Sequence, residues 1–258
     1  MESQWTIVDG LRMHARVSVD PVPETPLPVV LVHGLGVSSR YMVPAAEHLA
    51  PYYRAYAPDL PGFGKSAKPR RILDVAGLAD ALAAWMDAVG LERAMLLGNS
   101  LGCQIIAEFA LRQPGRAERA IFVGPTADPH ARATLPHVVR LLRDVPREPR
   151  ILIPLQAYDY AIAGVRRSAR TFKFMLQHRM EEVLPRLEAP TLVVRGAGDP
   201  IVPQRWAEEA ARLLPLGRLV VIPGQAHCAH YGAPLELARV VRPFVDGDPS
   251  GEQSGRGA

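Results

Sequence analysis

The strongest constraint on the fold is a serine that stands between a strand pattern and a helix pattern. The apolar residues 94–98 predict a strand, and residues 101–112 predict a helix. Gly98, Ser100 and Gly102 lie where the two meet, in the pattern Gly-x-Ser-x-Gly. A serine on so tight a turn is held in strained backbone geometry, with its hydroxyl clear of the sheet. The helix that follows directs unpaired N–H groups and a partial positive charge toward this point, as a nucleophilic site requires.

Strand and helix patterns alternate along most of the chain. Apolar and polar residues alternate on both sides of Asp9-Gly10, which predicts a β-hairpin from residues 5–8 and 13–19. Short apolar runs predict further strands at residues 29–32, 53–57, 94–98, 120–123, 191–195 and 219–222. Helical periodicity predicts helices at residues 38–49, 74–89, 101–112, 203–214 and 234–245. This alternation predicts an α/β fold, with a mostly parallel sheet covered by helices on both faces.

One long segment interrupts the alternation. Residues 126–187 carry helical and irregular patterns with few strand signals, which a single crossover helix does not explain. We expect them to form a helical cap insertion over the carboxyl ends of the strands, where open α/β sheets bind ligands. The predicted organisation is a core of residues 1–125 and 188–246, the cap of residues 126–187, and a disordered tail of residues 247–258.

Composition narrows the class of protein. Of the 258 residues, 48% are hydrophobic, which is enough for a large core. The sequence contains no run of about 18 apolar residues, so we predict no membrane-spanning helix and no membrane partner. The N-terminal residues do not have the pattern of a secretory signal, so we expect a cytoplasmic location. The two cysteines, Cys103 and Cys228, do not make a disulfide framework.

The charge pattern and the missing motifs argue against other partners. The net charge of +4 comes without a recognised binding motif or interleaved aromatic residues, so nucleic acid is not expected as a partner. The chain has no His-Glu-x-x-His run and no Cys/His cluster, and we expect no metal site. Gly64-Lys65-Ser66 resembles the end of a phosphate-binding loop, but Asp59 stands where that loop requires glycine. No cofactor is expected, and the expected partner is a small-molecule substrate.

A serine hydroxyl needs a neighbouring base, and two later strands end beside suitable residues. Asp199 follows the predicted strand 191–195, and His227 follows the predicted strand 219–222. A histidine that is oriented by a carboxylate is the usual base for a serine nucleophile. The order Ser100, Asp199, His227 along the chain is the order expected for an α/β-hydrolase.

Four motifs in sequence order resemble the α/β-hydrolase superfamily, in its esterase-like group with a helical cap. They are His33-Gly34-Leu35-Gly36, residues 59–66, the segment around Ser100, and the Asp199/His227 pair with Pro234 downstream. The resemblance implies an eight-stranded sheet, Ser100 as nucleophile, His227 as general base and then acid, and Asp199 as the orienting acid. It also implies an oxyanion hole formed by the backbone N–H groups of Leu35 and Leu101.

For several positions the sequence leaves more than one role or more than one candidate residue open. Asp128 follows the predicted strand 120–123 and competes with Asp199 as the acid, while His230 competes with His227 as the base. We expect His33 to brace the oxyanion loop by hydrogen bonds. Cys103 and Cys228 are expected to pack as small buried residues without a redox role. Asn99, just before the serine, is expected to be tolerated because the backbone turn aims the nucleophile.

The predicted function is hydrolysis of small to medium apolar carboxylic esters through an acyl-enzyme on Ser100. Hydrolysis of a carbon–carbon bond, a lactone or a thioester would use the same triad, and a non-catalytic ligand receptor is an alternative of another class. Substrate identity and oligomeric state stay open, since the fold does not determine them. The apolar residues expected either to line the pocket or to form the core of the cap are Leu135, Val138, Leu141, Leu152, Ile153, Tyr158, Tyr160, Phe172, Phe174 and Met175.

Overall fold

Eight strands occur in the part of the chain that the computed structural model describes, which is residues 1–19, 27–126 and 128–247. They are β1 (Glu2–Val8), β2 (Leu11–Val17), β3 (Val29–Val32), β4 (Ala55–Pro58), β5 (Ala94–Asn99), β6 (Ala117–Val123), β7 (Thr191–Gly196) and β8 (Gly217–Ile222). The expected tail lies outside the described residues apart from Gly247.

All eight strands join one sheet in the order β1-β2-β4-β3-β5-β6-β7-β8. The pairs β1–β2 and β2–β4 are antiparallel, and every later pair is parallel. The antiparallel edge begins with the expected hairpin, whose turn places Asp9 at φ 48° and Gly10 at φ 76°. Two positive φ angles in succession match the right-handed twist of the strands that the turn joins. The predicted fold class is confirmed.

Helices cover both faces of the sheet. The helices are α1 (Ser39–Leu49), α2 (Val75–Ala88), α3 (Leu101–Arg112), α4 (Thr134–Asp144), α5 (Leu152–Ala163), α6 (Val165–Gln177), α7 (Met180–Val183), α8 (Gln204–Leu213), α9 (Ala229–Gly232) and α10 (Pro234–Asp246). Trp85 of α2, Phe109 of α3 and Trp206 of α8 belong to one apolar cluster. Met42 of α1 and Val241 of α10 belong to a second cluster. The strands between the clusters are buried on both sides, which is why β3 is wholly apolar.

The sheet brings the ends of three distant strands to one edge. β3 pairs with β5 in parallel, and β6, β7 and β8 continue the parallel order. Ser100 follows β5, Asp199 follows β7, and His227 follows β8. Parallel strands end at the same edge, so three residues far apart in sequence lie along one edge of the sheet.

The segment between β6 and β7 is helical and contributes side chains above this edge. It holds α4 to α7, joined by short turns. Asp159 of α5 is buried and accepts hydrogen bonds from the Ser38 hydroxyl and the Arg40 guanidinium, both at 2.6 Å, which ties the segment to the start of α1. None of the helices in the described residues is long and apolar enough to cross a membrane.

Candidate active site

Ser100 occupies a strained turn between β5 and α3. Its φ of 57° is one of two positive φ values among the described residues other than glycine. A Cβ on Gly102 would lie 2.2 Å from the Val32 carbonyl oxygen, and a Cβ on Gly98 would lie 2.5 Å from the Gly102 carbonyl carbon. Strand β3, the end of β5 and the start of α3 therefore approach so closely that only glycine fits at both positions. This packing holds the serine in a conformation that ordinary residues avoid.

Asp199 and His227 form a buried pair. Asp199 Oδ2 lies 2.8 Å from His227 Nδ1. The other carboxylate oxygen accepts the backbone N–H groups of Ile201 and Val202, at 2.7 and 3.0 Å. The carboxylate is thus fixed by its own loop before it meets the histidine. An ionised carboxylate here requires Nδ1 to carry hydrogen, so that in the neutral ring Nε2 is free to accept a proton.

The ring of His227 lies in the cavity that also contains Ser100. Its Nε2 is buried and has no hydrogen-bond partner among the described residues. Burial opposes the charged ring, but the charge and hydrogen bond of Asp199, with smaller effects of Asp144 and Glu148, raise the pKa of His227 to about 9. A basic nitrogen without a partner, in the same cavity as a hydroxyl, is suited to accept that hydroxyl's proton.

Gly124 gives the ring its space. It follows β6 with a φ of 59°, and a Cβ there would lie 2.9 Å from the Cε1 and Nδ1 atoms of His227. This glycine is a position of the candidate site that sequence reasoning missed. No signal in the sequence marked it, because a glycine after a strand is also common in ordinary turns.

Asn99 does more than the sequence reasoning allowed. Its Nδ2 donates to the carbonyl oxygens of Val123 and His227, at 3.1 and 3.2 Å. The Tyr41 hydroxyl donates to its Oδ1 at 3.0 Å. The side chain therefore links the serine turn to the loop that carries the histidine, although the turn itself is aimed by the backbone.

His33 braces the loop after β3. Its Nε2 accepts the backbone N–H of Leu60 at 3.1 Å, so Nδ1 carries the hydrogen and donates to the Gly34 carbonyl oxygen at 2.9 Å. Burial lowers the pKa of His33, which keeps the ring neutral in this role. The next residue of the loop, Leu35, lines the cavity, and Leu101 is the first residue of α3. The N–H of Leu101 belongs to the first turn of α3, where backbone N–H groups have no acceptor within the helix.

An acidic cluster beside His227 was not anticipated. Asp144 Oδ1 lies 3.4 Å from the backbone nitrogen of His227, and Glu148 Oε1 accepts the N–H of Cys228 at 2.7 Å. Asp144, Glu148 and Cys228 offer ligand atoms within 4.8 Å of one another. Burial raises the pKa of Asp144 to about 7 and raises those of Glu148 and of the Cys228 thiol. Burial thus favours the protonated form of the two carboxyl groups, and in their ionised form they place negative charge near the histidine.

The competing residues lie in other surroundings. Asp128 accepts hydrogen bonds from Arg140 and Arg205, at 3.0 and 3.1 Å, whereas Asp199 contacts His227. His230 packs edge-on against the Tyr41 ring, and burial lowers its pKa to about 3, which makes it a poor base. Cys103 is buried with its Sγ on the Gly98 carbonyl oxygen, and burial raises its pKa, as befits an inert small residue.

The cavity at this edge has a volume of about 260 Å³ and is largely apolar. The expected pocket residues that do line it are Leu141, Leu152, Ile153, Tyr160, Phe172 and Met175. Leu135, Val138 and Tyr158 do not, and they are exposed rather than part of a core of the cap. The polar groups that reach this cavity include Ser100, His227, Asn99, Thr126, Gln156 and the two carboxylic acids of the acidic cluster.

A serine on a strand-to-helix turn of a mostly parallel sheet defines a class of enzymes, the hydrolases with an α/β fold. The chain belongs to the alpha/beta hydrolase family, whose family model matches residues 29–240. It is a hydrolase by this membership.

Three curated relatives illustrate the range of the likeness. The chain is 28% identical over 247 residues to a putative carbamate hydrolase, RutD, of a Caulobacter species, covering 85% of this chain and 91% of the relative. It is 26% identical over 248 residues to the pimeloyl-(acyl-carrier protein) methyl ester esterase of Yersinia pseudotuberculosis, covering 84% of this chain and 93% of the relative. It is 33% identical to abhydrolase domain-containing protein abhd-5.2 of Caenorhabditis elegans over 112 residues, which are 42% of this chain and only 25% of that protein.

Proposed function

We propose that the protein is a serine hydrolase that cleaves small to medium apolar carboxylic esters through an acyl-enzyme on Ser100. The observation that carries the proposal is the buried Asp199–His227 pair, whose Nε2 is without a partner in the cavity that contains Ser100. Serine, base and orienting carboxylate are the groups that acyl transfer requires.

The proposed reaction has two halves. His227 Nε2 takes the proton of Ser100, whose oxygen attacks the ester carbonyl, and the N–H groups of Leu35 and Leu101 bind the resulting oxyanion. The alcohol then leaves with the proton from His227, and the acyl group stays on Ser100. A water molecule, deprotonated by His227, releases the acid and restores the serine. Each oxyanion donor typically contributes about 2.7–4 kcal/mol to the transition state.

The substrate class rests on the cavity and on the relatives. Leu141, Leu152 and Phe172 give the cavity an apolar wall, which suits an uncharged acyl or alcohol group. One relative is named for a methyl ester and another for a carbamate, and both bonds join a carbonyl carbon to a heteroatom. Carbon–carbon, lactone and thioester hydrolysis need the same triad, so the choice among them depends on pocket shape. The receptor alternative is disfavoured by membership of a hydrolase family.

The test is a panel of substrates with wild type and two variants. Nitrophenyl esters of increasing acyl length, aliphatic lactones, acyl thioesters and a vinylogous diketone acid would be compared by kcat/KM. We expect the short and medium esters to be best, with activity abolished in Ser100→Ala. Ser168→Ala is the matched control, because that hydroxyl lies on α6, is buried without a partner among the described residues and is not in the cavity wall. A preference for another substrate class, or full activity in Ser100→Ala, would contradict the proposal.

A further inference from the structure

Helix α4 turns its apolar face to solvent. Its only buried side chains are His137 and Asp144, whereas Leu135 is 71% exposed and Leu142 is 68% exposed. A surface helix of a globular protein normally does the reverse and packs its apolar stripe against the core. Packing within the protein does not explain the exposed Leu135 and Val138, which lie outside the cavity wall, and an external apolar environment would.

Exposed apolar residues follow one face of α4 and reach the cavity. Leu135, Val138, Leu142 and Val145 follow one another at intervals of three and four residues, so they share one face of the helix. Exposed Ile151 and Ile153 extend the set beyond the end of α4. We call these six residues the cap stripe. Leu142, Val145 and Ile153 also line the cavity, so the stripe continues from the outer surface to the site that holds Ser100.

The exposed charges within the segment that carries the cap stripe have one sign. Between residues 135 and 153 they are Arg143, Arg147 and Arg150, and the exposed charged side chains of α6, which are Arg166, Arg170 and Lys173, are also cationic. The acidic residues between residues 133 and 178, which are Asp144, Glu148 and Asp159, are buried or half-buried. Helices that combine an apolar face with arginine and lysine lie in the plane of anionic bilayers, with the apolar side chains among the acyl chains.

We propose that the cap stripe docks the enzyme on the surface of an anionic lipid bilayer. A second copy of the chain fits less well, because a two-fold contact through this face would bring two arginine-rich surfaces together. The docked position would also place the apolar mouth of the cavity against the membrane. The sequence-based expectation of no membrane partner rested on the lack of a long apolar run, which a helix lying on the surface does not need.

The test is flotation with lipid vesicles, using Ser100→Ala as the background so that hydrolysis cannot alter the vesicles. Phosphatidylcholine vesicles with and without phosphatidylglycerol are the probes. We expect binding to the anionic vesicles and a loss of about tenfold or more for Leu135→Asp and for Ile151→Asp, since each removes apolar area that enters the bilayer. Replacing Arg143 or Arg150 with Gln should weaken binding about fivefold each. These four positions are exposed and lie outside the cavity wall, so the fold and the site should persist.

Matched controls lie elsewhere on the surface. Leu216→Asp changes an exposed leucine before β8, and Arg239→Gln changes an exposed arginine on α10. Both should bind vesicles as well as the background variant does. The proposal is overturned if anionic vesicles do not bind, if the control variants lose as much binding, or if sedimentation shows a dimer that Leu135→Asp dissociates. Because binding is measured without catalysis, its outcome is independent of the proposed esterase activity.

Discussion

Glu148 Oε1 accepts the backbone N–H of Cys228 at 2.7 Å, which joins the segment after α4 to the loop that carries His227. Asp144 reaches the neighbouring N–H at 3.4 Å. The helical segment thus contributes to the site in two ways, by lining the cavity and by holding the histidine loop. The two carboxyl groups also affect how readily the histidine accepts a proton.

The acidic cluster predicts a measurable pH dependence. With Asp199, Asp144 and Glu148 near the ring, the pKa of His227 is raised to about 9, so the protonated, inactive form persists at neutral pH. We expect kcat/KM of the wild type to rise with pH toward that value, since this profile reports the free enzyme. Glu148→Gln or Asp144→Asn removes negative charge, lowers the pKa of His227, and should move the acid limb down by about half a pH unit or more. Glu236→Gln, on the exposed start of α10, is the control. An acid limb that stays in place or moves up would exclude this electrostatic role.

Asp199 and Asp128 can be distinguished by one substitution each. Asp199→Asn should lower kcat by roughly 10⁴-fold, the loss known when this change is made in a serine protease triad, because the amide favours the wrong tautomer. Asp128→Asn should leave kcat close to the wild-type value, since that carboxylate pairs with Arg140 and Arg205. The measurement is steady-state ester hydrolysis, with thermal melting to confirm the fold. The reverse pattern would assign the acid to Asp128.

Gly124→Ala should displace the His227 ring. The added Cβ would lie 2.9 Å from two ring atoms, so we expect kcat to fall by at least about tenfold as the ring leaves its aligned position. Gly115→Ala is a close control, because its φ of 78° imposes the same kind of backbone strain while nothing lies within 4 Å of the new Cβ. Both variants should lose about 1–2 kcal/mol of stability to the left-handed conformation. Equal kcat values in the two variants would show that the ring does not depend on the space at Gly124.

Asn99→Ala should separate the serine turn from the histidine loop. It removes the amide donor from both carbonyl oxygens; the Val123 oxygen keeps the N–H of Ser100, so the cost of about 1–3 kcal/mol comes mainly from the buried His227 oxygen. We expect a lower melting temperature and a lower kcat, with KM changed less. Tyr41→Phe keeps both of these bonds and removes the hydroxyl that donates to Asn99 and also contacts the Cys228 Sγ at 2.8 Å, so its effect on kcat should be smaller. If Tyr41→Phe is the more damaging change, the link through Asn99 is not what positions the loop.

Much of the fold follows from local patterns. The hairpin at Asp9-Gly10, the wholly apolar strand β3 and the strand–serine–helix unit at Ser100 each carry their signal within a few residues, and each is present in the structure. The observed ends of the strands differ from the predicted ends where pairing with a neighbouring strand determines them. Strand β6 begins at Ala117 rather than at residue 120, because the parallel pairing with β5 extends into polar residues. The meeting of three strand ends depends on the strand order, which the family resemblance implied and the residue patterns alone did not.

The sequence alone did not predict which side chains of the helical segment between β6 and β7 are buried and which are exposed. Periodicity in residues 134–145 shows that α4 is amphipathic but does not tell which face the protein buries. The usual rule places Leu135 and Val138 inward, whereas the structure turns them outward and buries His137 and Asp144 instead. For the same reason Asp144 and Glu148 could not be assigned to the site, and the roles of Ser100, Asp199 and His227 remain predictions that their geometry supports.

The central claim is that Ser100 becomes acylated, and mass spectrometry of the trapped enzyme tests it most directly. The protein would be quenched with acid during turnover of a medium-chain nitrophenyl ester, digested, and searched for peptides that carry the acyl group. We predict that the acyl mass appears on the peptide containing Ser100, accumulates in His227→Ala no faster than in wild type, and is absent in Ser100→Ala. An acyl group on another residue, or ester turnover that continues unchanged in Ser100→Ala, would contradict the account.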